Sequence, residues 1–531
     1  MRTKLKSLNE VANTTRSMEG AIKYTTTGNE FLDEFASLAR YKQPREYDEV
    51  AETCMRLWQA SPIDFLKITF YLRMISRSPY LLNGEILDKH VGQGLKSEFR
   101  MRMFWLAEHN LETFNKNLEF IIAVGSWNDI IEILSLDLSY NGRKHGFNWI
   151  TTLQFINNGL NDEHQCNLIK KYLPTVRSAK YRTTLQQEIN SVIGTTIAKY
   201  VFKDNPEYMK YYRQMKSSGT AHEWQQHITK QHYHLINFNK IPGRVLQWFI
   251  KEDENGKSFV ERHGLQDKFN IWLDNQPVAK FTGYPYEIFA NRNNPIQKKL
   301  AHKQFELLLK NMDDIPNFIV ALDISGSMTS KAIGCNMSAY EVGKAMALYY
   351  SMHLKGKLKG FFMTFSGVAK LEKFKGETYA DMFNNYQAKY YGSTNPVAMA
   401  YLICKLHRNY RVPESKMPKG LLCISDGEFK SYGNSTTFNK FKQVLYNTFS
   451  KEFVDNFKLV LWDIPNSFYS DSSPRFETNA STPNFYQISG FDPAALKFLF
   501  NIDPKTKQTP KTAEELYAAT MDQELLNRLK V

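Results

Sequence analysis

Phe318-Ile319-Val320-Ala321-Leu322-Asp323-Ile324-Ser325-Gly326-Ser327 is the stretch that decides the fold of this chain. After Pro316 and Asn317, five successive apolar residues predict a strand buried on both faces of a parallel sheet. Asp323 then stands at the carboxyl end of that strand, the edge at which open α/β sheets bind ligands. Asp323, Ser325 and Ser327 alternate along an extended turn, so three oxygen-bearing side chains can converge on one hard cation while Gly326 relieves the backbone. Magnesium, which takes few protein ligands and keeps its waters, suits so sparse a donor set.

Two later segments extend the pattern. Tyr391-Gly392-Ser393-Thr394-Asn395-Pro396 reads as a turn opening a helix, with Pro396 at the first helical position and the Thr394 hydroxyl presented before it. Gly420-Leu421-Leu422-Cys423-Ile424-Ser425-Asp426-Gly427 reads as a second buried strand ending in an acidic turn. Asp-x-Ser-x-Ser, then Thr, then Asp, in that order, is the pattern of the metal-ion-dependent adhesion site of von Willebrand factor A domains. An aspartyl phosphotransferase would want a second acid where Ser325 stands, and a serine hydrolase would want a glycine that this turn lacks. A plain turn with capping serines would leave Thr394 and Asp426 as coincidences.

Strands and helices alternate around the motif: helices over 339–354, 396–408 and 438–450, and strands over 360–366, 458–462 and 485–489. Gly490-Phe491-Asp492-Pro493 then caps a helix through Phe500. The alternation predicts a doubly wound α/β domain over 315–531, its tail after Asn501 forming a terminal helix packed on it. Residues 1–310 differ. Apolar residues recur at helical spacing over 48–58, 62–75, 98–108, 111–125, 179–199 and 221–230, predicting an all-α module of irregular, solenoid-like helix pairs.

At 531 residues and 42% hydrophobic, the chain supports more than one core. No apolar run approaches a membrane span, and Met1-Arg2-Thr3-Lys4-Leu5-Lys6-Ser7 reads as no secretory signal. Cys54, Cys166, Cys335, Cys404 and Cys423 are scattered, which predicts free thiols in a reducing, cytoplasmic setting. The net charge of +14 points to a polyanionic partner. Residues 151–250 hold thirteen Lys and Arg against six Asp and Glu, half of that excess, with Tyr172, Tyr181, Tyr211, Tyr212 and Trp224 interleaved. Such a mixture neutralises phosphates and stacks unpaired bases; its bland counterpart is a solvated surface whose aromatics turn inward. His222 and His227 are five apart, so their rings stand about 140° apart on a helix and do not make a zinc-protease pair. His232 and His234 add a weaker cluster, better suited to capping or RNA contact than to metal.

The chain as a whole resembles the Ro-type ribonucleoproteins, which join a basic helical TROVE module to a von Willebrand A domain, and more closely the plant and viral relatives of that family that carry a domain of unknown function. The resemblance rests on the metal motif and on five short segments. These are Gly92-Gln93-Gly94-Leu95-Lys96-Ser97-Glu98-Phe99-Arg100, Gly125-Ser126-Trp127-Asn128-Asp129, Lys171-Tyr172-Leu173-Pro174, Tyr211-Tyr212-Arg213 and Ile241-Pro242-Gly243-Arg244. It implies a ring of HEAT-like repeats closed by the von Willebrand domain, a monomer or part of a larger assembly. Single-stranded RNA ends would enter the ring, and small structured RNAs would lie on its basic surface. Carried over, Arg100, Arg177, Lys180, Arg182, Tyr212, Arg213 and Arg244 become the expected RNA contacts. Ser126 stands where relatives often carry a basic residue, which weakens one expected phosphate contact.

The function expected is therefore RNA binding without catalysis. A magnesium ion would be held by Asp323, Ser325 and Ser327 directly and by Thr394 and Asp426 directly or through water, its open position taking a carboxylate from an acidic protein partner. The alternative is a metal-dependent interaction or virion-assembly protein with no RNA role, a packaged location that the viral relatives suggest. A nuclease has little support, because Glu428 is the lone further acid near Asp426 and more naturally faces solvent or caps the next turn.

Overall fold

The computed structural model describes residues 14–17, 22–38, 45–75, 81–82, 85–87, 91–142, 146–203, 205–219, 222–311, 318–354, 358–389, 392–432, 436–465, 476–477, 482–490, 499 and 509–531. It is a mixed α/β protein whose chain forms two compact units, one of residues 1–43 and 241–520 and the other of residues 44–240 and 521–531.

The first unit is built on a six-stranded sheet. Ten short strands among the described residues are numbered along the chain: β1 (Thr14–Arg16), β2 (Ile22–Tyr24), β3 (Leu81–Leu82), β4 (Glu85–Ile86), β5 (Phe318–Asp323), β6 (Phe361–Phe365), β7 (Ala369–Lys373), β8 (Gly420–Ser425), β9 (Lys458–Asp463) and β10 (Phe485–Ser489). The sheet runs β10-β9-β8-β5-β6-β7, parallel except for β7, which pairs antiparallel with β6. From β5 the chain passes to β6 on one side and later to β8 on the other. That reversal makes the carboxyl ends of β5 and β8 the switch point of the sheet, the edge at which α/β sheets place their ligands.

The sheet's two faces are covered because β5 and β8 carry apolar side chains on both. Ile319, Ala321, Leu421, Cys423, Leu459 and Leu461 pack with helices Val397–Tyr410 and Thr437–Tyr446 through Val397, Ile403, Phe441 and Leu445. Leu322 and Ile424 face helix Ala339–His353 so closely that a Cβ on Gly343 would lie 2.8 Å from Leu322 Cδ1. Each such large side chain contributes about 1.5–3 kcal/mol by leaving water. The antiparallel β7 escaped the sequence reading. Its Ala-Lys-Leu-Glu-Lys pattern is half-exposed and charged, as suits an edge strand that must not pair with other chains. The helix expected over 490–500 lies, but for Gly490 and Leu499, outside the described residues.

The units part elsewhere than at residues 310 and 315. Residues 241–310 belong with the sheet because helix Pro295–Lys310 packs on helix Tyr379–Asn385, where Lys298 Nζ meets Asp381 Oδ1 at 2.8 Å. Arg292 likewise binds Glu341 at 3.0 Å, and the Phe289 and Phe383 rings stack at 4.5 Å.

The second unit is helical: Tyr47–Ala60, Pro62–Arg73, Lys96–His109 and Glu223–Thr229 fall on predicted stretches, whereas Trp127–Asn141, Ile150–Leu160, Cys166–Tyr172 and Tyr208–Ser218 were not predicted. The single helix expected over 111–125 breaks at Asn117, whose side-chain NH2 donates to the carbonyl oxygen of Thr113 at 2.8 Å. The helix expected from Ala179 begins at Leu185, because the Thr184 hydroxyl caps it through the Gln187 N–H. Of the tail expected to pack on the sheet domain, helix Ala513–Met521 belongs to the sheet-bearing unit through Thr520, and residues 521–531 belong to the helical one: Gln523 exchanges hydrogen bonds with the backbone of Val91 at 2.8 and 3.1 Å, and the Lys530 N–H donates to Asn117. No helix among the described residues is long and apolar enough to cross a membrane, and the five cysteines are free thiols.

Candidate metal centre

Parallel pairing of Leu322 with Ile424 brings the ends of β5 and β8 side by side, and with them Asp323 and Ser425. Asp323 is fully buried, and both of its oxygens are held. Oδ2 accepts from the Ser425 hydroxyl at 2.6 Å and Oδ1 from the Ser325 N–H at 2.8 Å. Ser325 Oγ lies 3.2 Å from Ser327 Oγ, and the Ser327 side chain hydrogen-bonds Asp426. Thr394 is buried at the start of the turn before helix Val397–Tyr410, and its carbonyl accepts from the Lys430 N–H at 2.8 Å, tying that turn to the loop after β8. The fold thus carries all five predicted metal-site residues on the loops at one edge of the sheet, with Ser327 half-exposed and Gly326 exposed.

Burial dominates the electrostatics. It pushes the Asp323 carboxyl up, and the neighbouring Asp426 pushes it further; the hydrogen bonds from Ser425 and Ser325 oppose this and do not cancel it. Asp426 is also pushed up by burial, with Glu428 and Asp463 adding repulsion. A buried, mutually repelling pair of acids surrounded by hydroxyls is a set of hard oxygen donors that a divalent cation would neutralise. No three His, Cys, Asp or Glu among the described residues form a ligand cluster; this donor set is two carboxylates and three hydroxyls. Its chemistry fits magnesium, which Asp323, Ser325 and Ser327 would hold with Thr394 and Asp426 beside it. Bound there, the ion would act as a Lewis acid for one further oxygen ligand.

Three contributors escaped the sequence reading. Ser425 appeared in the second motif without a role, yet it fixes Asp323. Asp463 ends the apolar run Leu459-Val460-Leu461-Trp462, repeating the strand-then-acid pattern of β5 and β8, so the signal was present. Lys23 gave no local signal: it arrives from β2, ion-pairs with buried Glu477, donates to the Gly427 carbonyl oxygen at 2.7 Å and stands 4.5 Å from the Phe429 ring centroid. Gly427 itself has φ +79°, which a side chain would strain. Glu428, expected to face solvent or cap a turn, is buried.

The residues expected to touch RNA are scattered. Arg177 and Lys180 are exposed in the turn before helix Leu185–Val201, with Lys180 4.6 Å from the ring centroid of the exposed Tyr181. Arg182 is half-buried, its Nε donating to the Arg177 carbonyl at 2.9 Å. Arg213 is exposed on helix Tyr208–Ser218. Three others carry corrections. Tyr212 is wholly buried and its hydroxyl donates to the Pro174 carbonyl oxygen at 2.8 Å, so its ring has no face for a base. Arg100 is mostly buried and pairs with Asp129 at 2.7 Å. Burial alone would raise the Asp129 carboxyl, but Arg73 and Arg100 outweigh it and hold the group below its ordinary value. Arg244 is exposed but belongs to the sheet-bearing unit, where it meets Glu287 at 2.7 Å.

Of the histidines, His222 stacks near Trp224 and lies 3.2 Å from Lys171 Nζ, while His227 faces Glu223 at 3.7 Å. Residues 317–528, which take in the whole six-stranded sheet and both acidic turns, match the family model described as a domain of unknown function, DUF7788. No curated protein matches the chain.

Proposed function

We propose that this protein binds RNA with exposed single strands through its helical unit, and that its sheet-bearing unit is a von Willebrand A-like domain holding magnesium in an adhesion-type site. The observation that carries the first part is the exposed run Arg177, Lys180 and Tyr181, in which Lys180 stands beside an open aromatic face, with a further exposed cation, Arg213, in the same unit. Cations of this kind neutralise phosphates at a salt-dependent affinity, and an open ring stacks bases of any sequence. HEAT-like pairing of the helices and the magnesium site are parts of the same proposal. The metal site is supported by the convergence of Asp323, Ser325, Ser327, Thr394 and Asp426 at one sheet edge.

Fluorescence anisotropy of the full chain with a short single-stranded RNA and its duplex, at two salt concentrations and with or without magnesium, tests it. Salt-sensitive binding that prefers the single strand supports the proposal; no binding at low salt overturns it. The half-exposed Ser327 at an otherwise buried acidic site favours one other reading, a magnesium-dependent contact with an acidic protein. A pull-down that needs magnesium and is lost in Asp323→Ala would mark that function.

A further inference from the structure

An open cleft of about 740 Å³ lies in the helical unit between helix Ile150–Leu160 and the chain that ends helix Leu185–Val201. Its size falls in the roughly 300–1,000 Å³ range of small-ligand sites. Gln154, Asn157 and Asn158 line one wall, spaced three and four residues apart so that they share a helix face. Among the described residues the side-chain amides of these three take no hydrogen-bond partner. Asn205 supplies a fourth amide from the opposite wall; its Oδ1 accepts from the Glu207 N–H at 2.9 Å, and among the described residues its NH2 group meets no hydrogen-bond partner.

The rest of the lining is aromatic and cationic. Tyr200 and Phe202 are half-buried, and Lys203 Nζ lies 4.9 Å from the Tyr200 ring centroid. Phe202 is 6.0 Å, centroid to centroid, from Tyr211, which is 39% exposed. Amides offer a donor and an acceptor side by side, the arrangement that reads the edge of a nucleobase. Flat rings offer it a stacking face, and a lysine at the rim suits the phosphate that follows. A neutral sugar would use the amides and rings but not the cation.

We infer that this cleft holds one unpaired nucleotide of a bound RNA strand, its base edge met by the amides of Asn157 and Asn158 and its phosphate by Lys203. The inference rests on the RNA-binding reading above and adds to it a site of base selection. The test uses the full chain and short homopolymers of uridylate, adenylate and cytidylate, titrated by fluorescence anisotropy at two salt concentrations. It compares the wild type, the double variant Asn157→Ala with Asn158→Ala, and the double variant Arg177→Ala with Lys180→Ala. Circular dichroism establishes that each variant keeps its helices. The wild type is expected to favour one homopolymer. The amide variant is expected to lose about tenfold in affinity for that one, within the range of a single base contact, and little for the others, with the salt dependence unchanged. The basic-turn variant is expected to weaken all three alike and to flatten the salt dependence. Equal affinity for all three homopolymers, or an amide variant that behaves as wild type while the basic-turn variant weakens, overturns the cleft alone. Absence of RNA binding by the wild type at low salt overturns the RNA reading and the cleft with it.

Discussion

Ser425 Oγ donates a 2.6 Å hydrogen bond to Asp323 Oδ2 across the pairing of β8 with β5. Both residues end buried strands, so the bond sets the Asp323 carboxylate at the sheet edge before any ligand arrives. One oxygen is taken by Ser425 and the other by the Ser325 N–H, yet burial and Asp426 still push the group up. A site whose acids repel each other is stabilised by a cation in proportion to how well it binds.

Magnesium is therefore expected to raise the melting temperature of the wild type, by as much as about 2.7 kcal/mol of added stability at a hundredfold excess over Kd. In Asp323→Asn the buried repulsion with Asp426 is gone. That variant is expected to melt no lower than the wild type without magnesium and to gain nothing when magnesium is added. Differential scanning fluorimetry with and without the ion reads both effects, and a wild type indifferent to magnesium would sink the metal site.

Two tyrosines of the helical unit, Tyr212 and Tyr181, separate packing from binding. Tyr212 is buried with its hydroxyl on the Pro174 carbonyl, so Tyr212→Phe leaves that acceptor unmet and is expected to cost about 1–3 kcal/mol in urea denaturation, with RNA affinity unchanged. Tyr181 is 58% exposed beside Lys180. Tyr181→Ala is expected to leave stability within about 0.5 kcal/mol and to lower RNA affinity about fivefold or more. The reverse assignment of effects would show that the aromatic carrying the RNA reading is the wrong one.

The sequence carried the sheet well because continuous apolar runs such as Phe318–Leu322 have few other uses than a doubly covered strand, and the acids that end them mark the edge. The same logic extends to Asp463, which lay one residue beyond the predicted strand. The helical half was harder. Tyr212 and Tyr211 are adjacent, so periodicity alone could not say which of them faces inward, and Arg100 could not be told from a surface arginine without knowing that Asp129 stands beside it. Lys23 was beyond reach for a related reason: its partner Glu477 is more than four hundred residues away, and nothing in a short window of sequence reports such a pairing.

Lys344 gives the chain a pH dependence of known sign. Helix Ala339–His353 buries it, with Nζ 3.2 Å from the Tyr386 carbonyl oxygen and 4.0 Å from the Phe383 ring centroid. Burial, with Arg292 adding repulsion, lowers its pKa to about 8. Between about 8 and the unfolded value near 10.4 the unfolded chain binds a proton that the folded chain has released, so this residue makes stability rise with pH through that window. Below about 8 the cost of burying the charge is fully present. Lys344→Met is expected to stabilise the protein at pH 7 by about 1–3 kcal/mol, with a gain that shrinks as pH climbs toward 10. Denaturation midpoints of both proteins at pH 7, 8.5 and 10 check it, and a gain that grows with pH would contradict the sign.

Lys23 and Glu477 form a buried pair beside the Asp426 turn, and Lys23 also holds the Gly427 carbonyl. Burial pushes the Glu477 carboxyl up, and Lys23 opposes it, so each charge depends on the other. Removing one partner strands a buried charge: Lys23→Met or Glu477→Gln alone is expected to cost about 3–5 kcal/mol, whereas the double variant should cost much less than their sum. Because Lys23 also fixes the turn that carries Asp426, Lys23→Met is expected to weaken the magnesium-dependent rise in melting temperature as well. A double-mutant cycle run with and without magnesium separates the two roles. Additive costs would show that the pair is not coupled, and an unchanged magnesium response in Lys23→Met would show that Gly427 keeps its turn without it.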